Sequence, residues 1–331
     1  MTRLVVHAGA EFADSGAVLR DLVAHRDGLV ESGVLLPPED DATSWRETAQ
    51  GLLRGDPSAT ALIARARETG VGAVLFSSDI LADALVSPDQ AAVLAEVGAA
   101  EGLDVRVVVV VREQIGYINS LYCQRVLNLD TARSLAEFAA MAVPAHRFDY
   151  VASFGAIADT AGLELVAIPY PDLRAKGAGR AVLEVAGLGR ETPDTMGMSE
   201  GAFEPVPGPV LVGATRLLHK RLRRLNSFHE QGRPRLRVLA EQLAARAGEA
   251  GWDTTQFWGW DARLRRVVED EYRDSNAVFA DFVWGTPWPE PWSGGRPKRV
   301  DLADLDPPVL REVLTTVDEL VDSAIQRASS D

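Results

Sequence analysis

"VRVVVVVREQIGYINSLYCQRV", residues 105–126, decides the class of fold. Five consecutive valines, 107–111, follow Val105 and Arg106. An unbroken β-branched run of this kind reads as a strand covered on both faces, as in a parallel sheet. Arg112 ends the run and a helical pattern starts at once. Ser120 stands eight residues later, about two helical turns on. An arginine at a strand's carboxyl end and a serine on the next helix can converge on one anion at the sheet edge, where open α/β sheets bind ligands. The guanidinium presents a planar fork of donors that suits phosphate.

Three further apolar runs, residues 4–7, 73–77 and 165–168, read as buried parallel strands. Helical patterns lie between them. Asp56 before Pro57 and Ser87 before Pro88 are helix-start signals, Ser44 with Glu47 fits a capping box, and Gly33, Gly70, Gly102 and Gly162 stand where helices stop. Strands alternating with helices predict an α/β three-layer sandwich around a central parallel sheet. Beyond residue 170 the strand signal fades. Helices are expected over 171–186, 210–226, 234–250, 262–272, 276–283 and 305–327, with proline- and glycine-rich loops at 201–209 and 286–299. The expected organisation is one domain over 1–331, with an α/β nucleotide-binding core at 1–170 and a mainly helical portion at 171–331.

Composition narrows the function. With 331 residues, 47% hydrophobic and 25% charged, the chain has a globular profile. A net charge of −14 argues against a broad electrostatic grip on nucleic acid or an acidic membrane. An anionic small ligand would need a local positive pocket, built mostly of arginine, because the lysines are Lys176, Lys220 and Lys298 alone. Cys123 is the single cysteine, which excludes an intrachain disulfide and a cysteine-rich zinc site. The histidines and acidic residues show no metal-ligand spacing. The valine run 107–111 is far too short to cross a bilayer, and the start of the chain does not read as a signal peptide, so the cytoplasm is the expected location.

"LVVHAGAEFADSGAVLRDL", residues 4–22, has the strand, tight loop and helix of a phosphate-binding loop, yet it carries no lysine and includes Glu11 and Asp14. Losing a cation and gaining a carboxylate beside an anion weakens its binding steeply in a partly buried site. Asp14 or Ser15 can also cap the following helix and satisfy its N-terminus internally. Arg20, one turn into the helix, is the nearest cationic candidate on that element.

The Arg112 and Ser120 arrangement resembles that of the sulfotransferases, which transfer a sulfuryl group from 3′-phosphoadenosine 5′-phosphosulfate (PAPS). Three more stretches resemble the bacterial branch in the same order: "AVLFSSDILADAL" at 73–85, "FDYVASFGAIADTAGLELVAIPYPDL" at 148–173 and "SNAVFADFVWG" at 275–285. The resemblance implies a P-loop nucleotide-kinase-like fold with C-terminal helical additions. It implies that Arg112 and Ser120 hold the 3′-phosphate, and that loop 9–16, with Gly9, Ala10, Ser15, Gly16 and the nearby Arg20, approaches the phosphosulfate. The family's first loop reads approximately His-x-Gly-x-x-Lys-Thr-Gly-Thr-Thr. His7 and Gly9 match it, whereas Phe12, Ala13 and Asp14 stand at the lysine, threonine and glycine, Ser15 keeps a hydroxyl, and Gly16 replaces a further threonine. The implied activity is sulfuryl transfer to a hydroxyl of a small molecule or sugar. The alternative is a non-catalytic binding or scaffold protein that kept the fold and lost the lysine.

Several residues carry two readings. Asp79 is either the base that takes the acceptor's proton or a helix N-cap. His7, the remaining catalytic candidate, is either a base or a buried, hydrogen-bonded histidine. Trp258, Trp260, Trp284, Trp288 and Trp292 either wall an acceptor site or clamp proline-rich loops, within one chain or between copies in a homo-oligomer. The basic run at 220–224 reads as a solvated helix face.

Overall fold

The computed structural model describes residues 2–9, 15–38, 41–79, 81–144, 148–188, 206–224, 228–252, 255–288 and 301–328. Ala10, Phe12, Asp14, Trp292, the Ser15 side chain and most of the two proline-rich loops lie outside the described residues. In chain order the elements are β1 (Arg3–Ala8), α1 (Ser15–Ala24), α2 (Arg26–Glu31), β2 (Val34–Leu35), α3 (Ala42–Arg54), α4 (Pro57–Thr69), β3 (Ala73–Ser78), α5 (Leu81–Leu85), α6 (Pro88–Glu101), β4 (Asp104–Val111) and α7 (Gln114–Leu127). There follow α8 (Leu135–Ala142), α9 (Tyr150–Asp159), β5 (Leu163–Pro169), α10 (Tyr170–Lys176), α11 (Ala178–Val185), α12 (Pro209–Arg224), α13 (Phe228–Glu249), α14 (Ala262–Trp284) and α15 (Pro307–Ala328). The chain divides into two compact units: Met1–Gln114 with Ala145–Glu204 and Glu269–Trp292, and Ile115–Pro144 with Pro205–Val268 and Ser293–Asp331.

The first unit holds an all-parallel five-stranded sheet in the order β2-β3-β1-β4-β5. Alternation along each strand divides its side chains between two layers. Leu4, Val6, Val74, Phe76, Val107 and Val109 pack under α4, α5, α6 and α9. Val5, Leu75, Val108 and Val110 pack under α1, α10 and α11. The α/β architecture with helices on both faces is the expected one. The two-residue β2 falls below the length at which an apolar run can be read as a strand.

Helix ends differ from the sequence reading in instructive ways. Gly55, Gly70 and Gly102 close α3, α4 and α6 in the left-handed conformation. The α3 N-cap is Asp41, whose carboxylate accepts from the Thr43 and Ser44 amides at 2.9 Å each, and Ser44 donates its hydroxyl to that carboxylate rather than capping with Glu47. The single helix expected over 171–186 is broken at Gly177, whose φ of 89° and ψ of 145° suit glycine alone. The two helices expected over 262–283 are one, α14. Ser275 and Asn276 resemble a break because their side chains compete with backbone hydrogen bonds. Here both are engaged elsewhere: Ser275 Oγ donates to Asp149 at 3.0 Å, and Asn276 pairs with Gln114.

The second unit is helical among its described residues, with a core that includes Leu129, Leu218, Leu222, Leu239, Leu243, Val313 and Val317. The tryptophan-containing stretch 257–260 is latched there. Asn119 donates to the Phe257 carbonyl at 3.1 Å and accepts from the Gly259 amide at 3.3 Å, and the Trp260 indole donates to the Ile115 carbonyl at 3.1 Å. In the basic run, Arg221 pairs with Asp318, while Lys220, Arg223 and Arg224 are exposed. Among the described residues no helix is long and apolar enough to cross a membrane.

Candidate functional site

Three adjacent strands of the first unit end in step with the candidates. Asp79 follows the last residue of β3, Gly9 that of β1 and Arg112 that of β4. Because the sheet is parallel, all three lie at one carboxyl edge. The central strand leads to α1 on one face, and its neighbour β3 leads to α5 and α6 on the other. Adjacent strands whose helices leave on opposite faces open a crevice at their carboxyl ends, the usual ligand position in such sheets.

His7 and Ser77 face each other across β1 and β3 in direct register, His7 Nδ1 lying 2.8 Å from Ser77 Oγ. The ring is fully buried, and its Nε2 has no hydrogen-bond partner among the described residues. Burial lowers the His7 pKa to about 4, although the Asp79 charge pulls the other way. At neutral pH it is an uncharged group. Gly9 is tied at both polar atoms, its amide donating to the Ser78 carbonyl at 2.8 Å and its carbonyl accepting from Ala82 at 3.4 Å.

Asp79 is held by a guanidinium that the sequence reading did not single out. Arg46 of α3 grips it with both prongs, Nε to Oδ1 at 2.6 Å and Nη2 to Oδ2 at 2.7 Å. A carboxylate clamped in this way is held in one orientation, with both oxygens engaged by the guanidinium. The pair joins residues 33 positions apart, so no local pattern marks it.

Arg112 is 8% exposed, and its guanidinium carbon lies 4.2 Å from the centre of the Tyr170 ring. The phenol of Tyr150 secures its backbone, accepting from the Arg112 amide at 3.2 Å and donating to the Arg112 carbonyl at 2.6 Å. Two residues on, the Gln114 and Asn276 amides bond reciprocally at 2.7 and 2.9 Å, and Gln114 also donates to the Phe148 carbonyl at 2.9 Å. Tyr150 stacks against Phe154 and Trp288, and Trp284 donates to the Ala167 carbonyl at 2.8 Å. Stretches 148–173 and 275–285 therefore meet at the end of β4. Tyr150, Tyr170 and Asn276 were legible only as members of those stretches, and Gln114 only as a member of the 105–126 stretch.

The remaining candidates are distributed as follows. Gly16 lies in the first turn of α1, where Arg20 reaches back: its Nη1 is 3.4 Å from the point a side chain on Gly16 would occupy. Ser120 lies on α7 in the second unit, half-buried, whereas Arg112 belongs to the first. Trp260 is buried in the second unit, and Trp284 and Trp288 are half-buried in the first. The first unit's carboxyl edge thus presents two guanidinium groups, Arg112 at the end of β4 and Arg46 on Asp79 at the end of β3. Such an edge is chemically suited to a ligand with two separated anionic groups. Comparisons of the chain with protein-family models, with curated proteins and with solved structures find no match.

Proposed function

We propose that this chain is a sulfotransferase-like protein that binds the 3′-phosphoadenosine nucleotide at the carboxyl edge of its parallel sheet. It would transfer a sulfuryl group to a hydroxyl of a small molecule or sugar. One observation carries the reading: Arg112 emerges at the end of β4 beside the loop strand, with its backbone fixed by Tyr150 and its guanidinium laid over Tyr170. A guanidinium fixed in this way loses little freedom when it meets a phosphate, and its planar fork matches that anion. Asp79 is the base, and it acts once Arg46 has let go of it.

A second reading is favoured by a specific departure: Phe12 stands at the position of the family's lysine. In that reading the chain keeps the nucleotide's 3′-phosphate end and does no transfer chemistry. Calorimetry with adenosine 3′,5′-bisphosphate tests both. Binding that is lost in Arg112→Ala, together with turnover of PAPS, supports the first reading. Binding without turnover supports the second, and no heat at millimolar ligand removes both.

A further inference from the structure

We propose that Arg46 is the cation that meets the 5′-anionic end of the nucleotide, and that its pairing with Asp79 is the resting half of a partner exchange. The inference rests on the nucleotide reading above and assigns the half of that site which the sequence leaves without a lysine.

Three observations carry it. The first is position. Asp79 directly follows Ser78, whose carbonyl holds the Gly9 amide at 2.8 Å, and Ser78 pairs in register with Ala8. The residue that the guanidinium grips therefore directly follows the strand position paired with the end of β1. The second is exposure. The two side chains are 36% and 27% accessible, so water reaches the pair. An ion pair that water reaches is free to exchange partners, and a phosphate or sulfate bearing more charge than one carboxylate competes for the guanidinium effectively. The third is electrostatic. With Arg46 in place the carboxylate at the edge of the crevice is neutralised, which removes a repulsion that would otherwise oppose any anion there.

The exchange links two tasks. When the guanidinium turns to the nucleotide's 5′ end, it releases Asp79 at the same step. The carboxylate then becomes available to a hydroxyl only when the donor is bound, which couples release of the base to donor binding. Arg46 binds and positions the donor, and it acts on the acceptor side only through Asp79.

The test compares two nucleotides that differ only at the 5′ end. Adenosine 3′,5′-bisphosphate and adenosine 3′-monophosphate are titrated calorimetrically into the wild type, Arg46→Ala, Arg46→Lys and Asp79→Asn, and thermal unfolding checks that each variant is folded. The wild type should prefer the bisphosphate. Arg46→Ala should weaken bisphosphate binding about tenfold and leave the monophosphate unchanged. Arg46→Lys should fall between them, since the charge remains and the fork is lost. Asp79→Asn should tighten the bisphosphate, because the guanidinium no longer has a competing partner. Should Arg46→Ala fail to fold, the opposite effects of Arg46→Lys and Asp79→Asn carry the same information. Equal preference in wild type and Arg46→Ala overturns the assignment while leaving the nucleotide reading intact. So does weaker bisphosphate binding in Asp79→Asn, which would mark the pair as a rigid structural unit. A wild type that binds neither nucleotide overturns the nucleotide reading and the Arg46 assignment with it.

Discussion

The Tyr150 hydroxyl satisfies both backbone polar groups of Arg112, accepting from its amide at 3.2 Å and donating to its carbonyl at 2.6 Å. Arg112 directly follows the last residue of β4, and leaving a buried amide or carbonyl unpaired there would be costly. One phenol on the far side of the β4–β5 connection therefore fixes the exit angle of the chain. Tyr150→Phe keeps the ring stack with Phe154 and removes only the oxygen. It should destabilise the fold by about 1–3 kcal/mol in urea unfolding and weaken adenosine bisphosphate binding in parallel with Arg112→Ala. Unchanged stability would mean that the two groups find other partners.

The buried histidine predicts an acid sensitivity with a definite sign. Burial places the folded pKa of His7 at about 4, below its ordinary 6.5. The unfolded chain therefore binds this proton more readily than the folded one between those values. The stability from keeping His7 neutral is fully present above 6.5 and is lost as pH falls towards 4, a loss of about 3 kcal/mol. Carboxylates held low by their partners, such as Asp41 by Ser44 and Glu184 by Arg180, add acid sensitivity of their own at lower pH. Comparing wild type with His7→Gln cancels them. Urea midpoints measured at pH 7 and pH 4.5 should fall more steeply for the wild type than for the variant.

Packing of α6 on β4 leaves no room for a methyl group at Gly98. A side-chain carbon there would stand 2.2 Å from Val105 Cγ2, and the short, branched valine cannot swing clear. Gly98→Ala should cost about 1–3 kcal/mol despite the better helix propensity of alanine. A double variant with Val105→Ala should recover part of that loss, and simple additivity of the two would refute the close-approach explanation.

How much of this was visible in the sequence depends on the range of the interaction concerned. The valine run of β4 and the glycines ending α4 and α6 are local signals, and each appears where its pattern places it. Gly177 is also local, but a lone glycine in a helical pattern reads equally well as tolerated, and only its φ reveals the break. Ser275 and Asn276 misled because their competition with the backbone is cancelled by Asp149 and Gln114, which lie more than a hundred residues away. Ser44 with Glu47 fitted the capping pattern at the level of sequence, but the cap is Asp41, three residues earlier. Within the site, the strand-end position of Arg112 could be read, whereas the clamp of Arg46 on Asp79 and the Tyr150 bridge could not. Hydrogen bonds between distant segments leave no spacing to find.

The missing lysine can be put back. At the level of sequence, position 12 is where the resembling family carries the cation that binds the phosphosulfate and steadies the departing oxygen, and this chain has phenylalanine there. Two unit charges interact by about 4 kcal/mol at roughly 4 Å and an effective dielectric near 20, so restoring one such attraction can change affinity by a factor on the order of a hundred even after solvent screening. Phe12→Lys should tighten adenosine 3′,5′-bisphosphate and raise PAPS hydrolysis over the wild type. The more demanding form of the experiment uses the Arg46→Ala background. If Arg46 occupies the functional place of that lysine, Phe12→Lys should restore the bisphosphate affinity that Arg46→Ala loses, with no change in monophosphate binding. Failure of Phe12→Lys to alter either ligand binding or hydrolysis in both backgrounds would mean that the loop no longer presents its amides to an anion. The non-catalytic reading would then describe the chain.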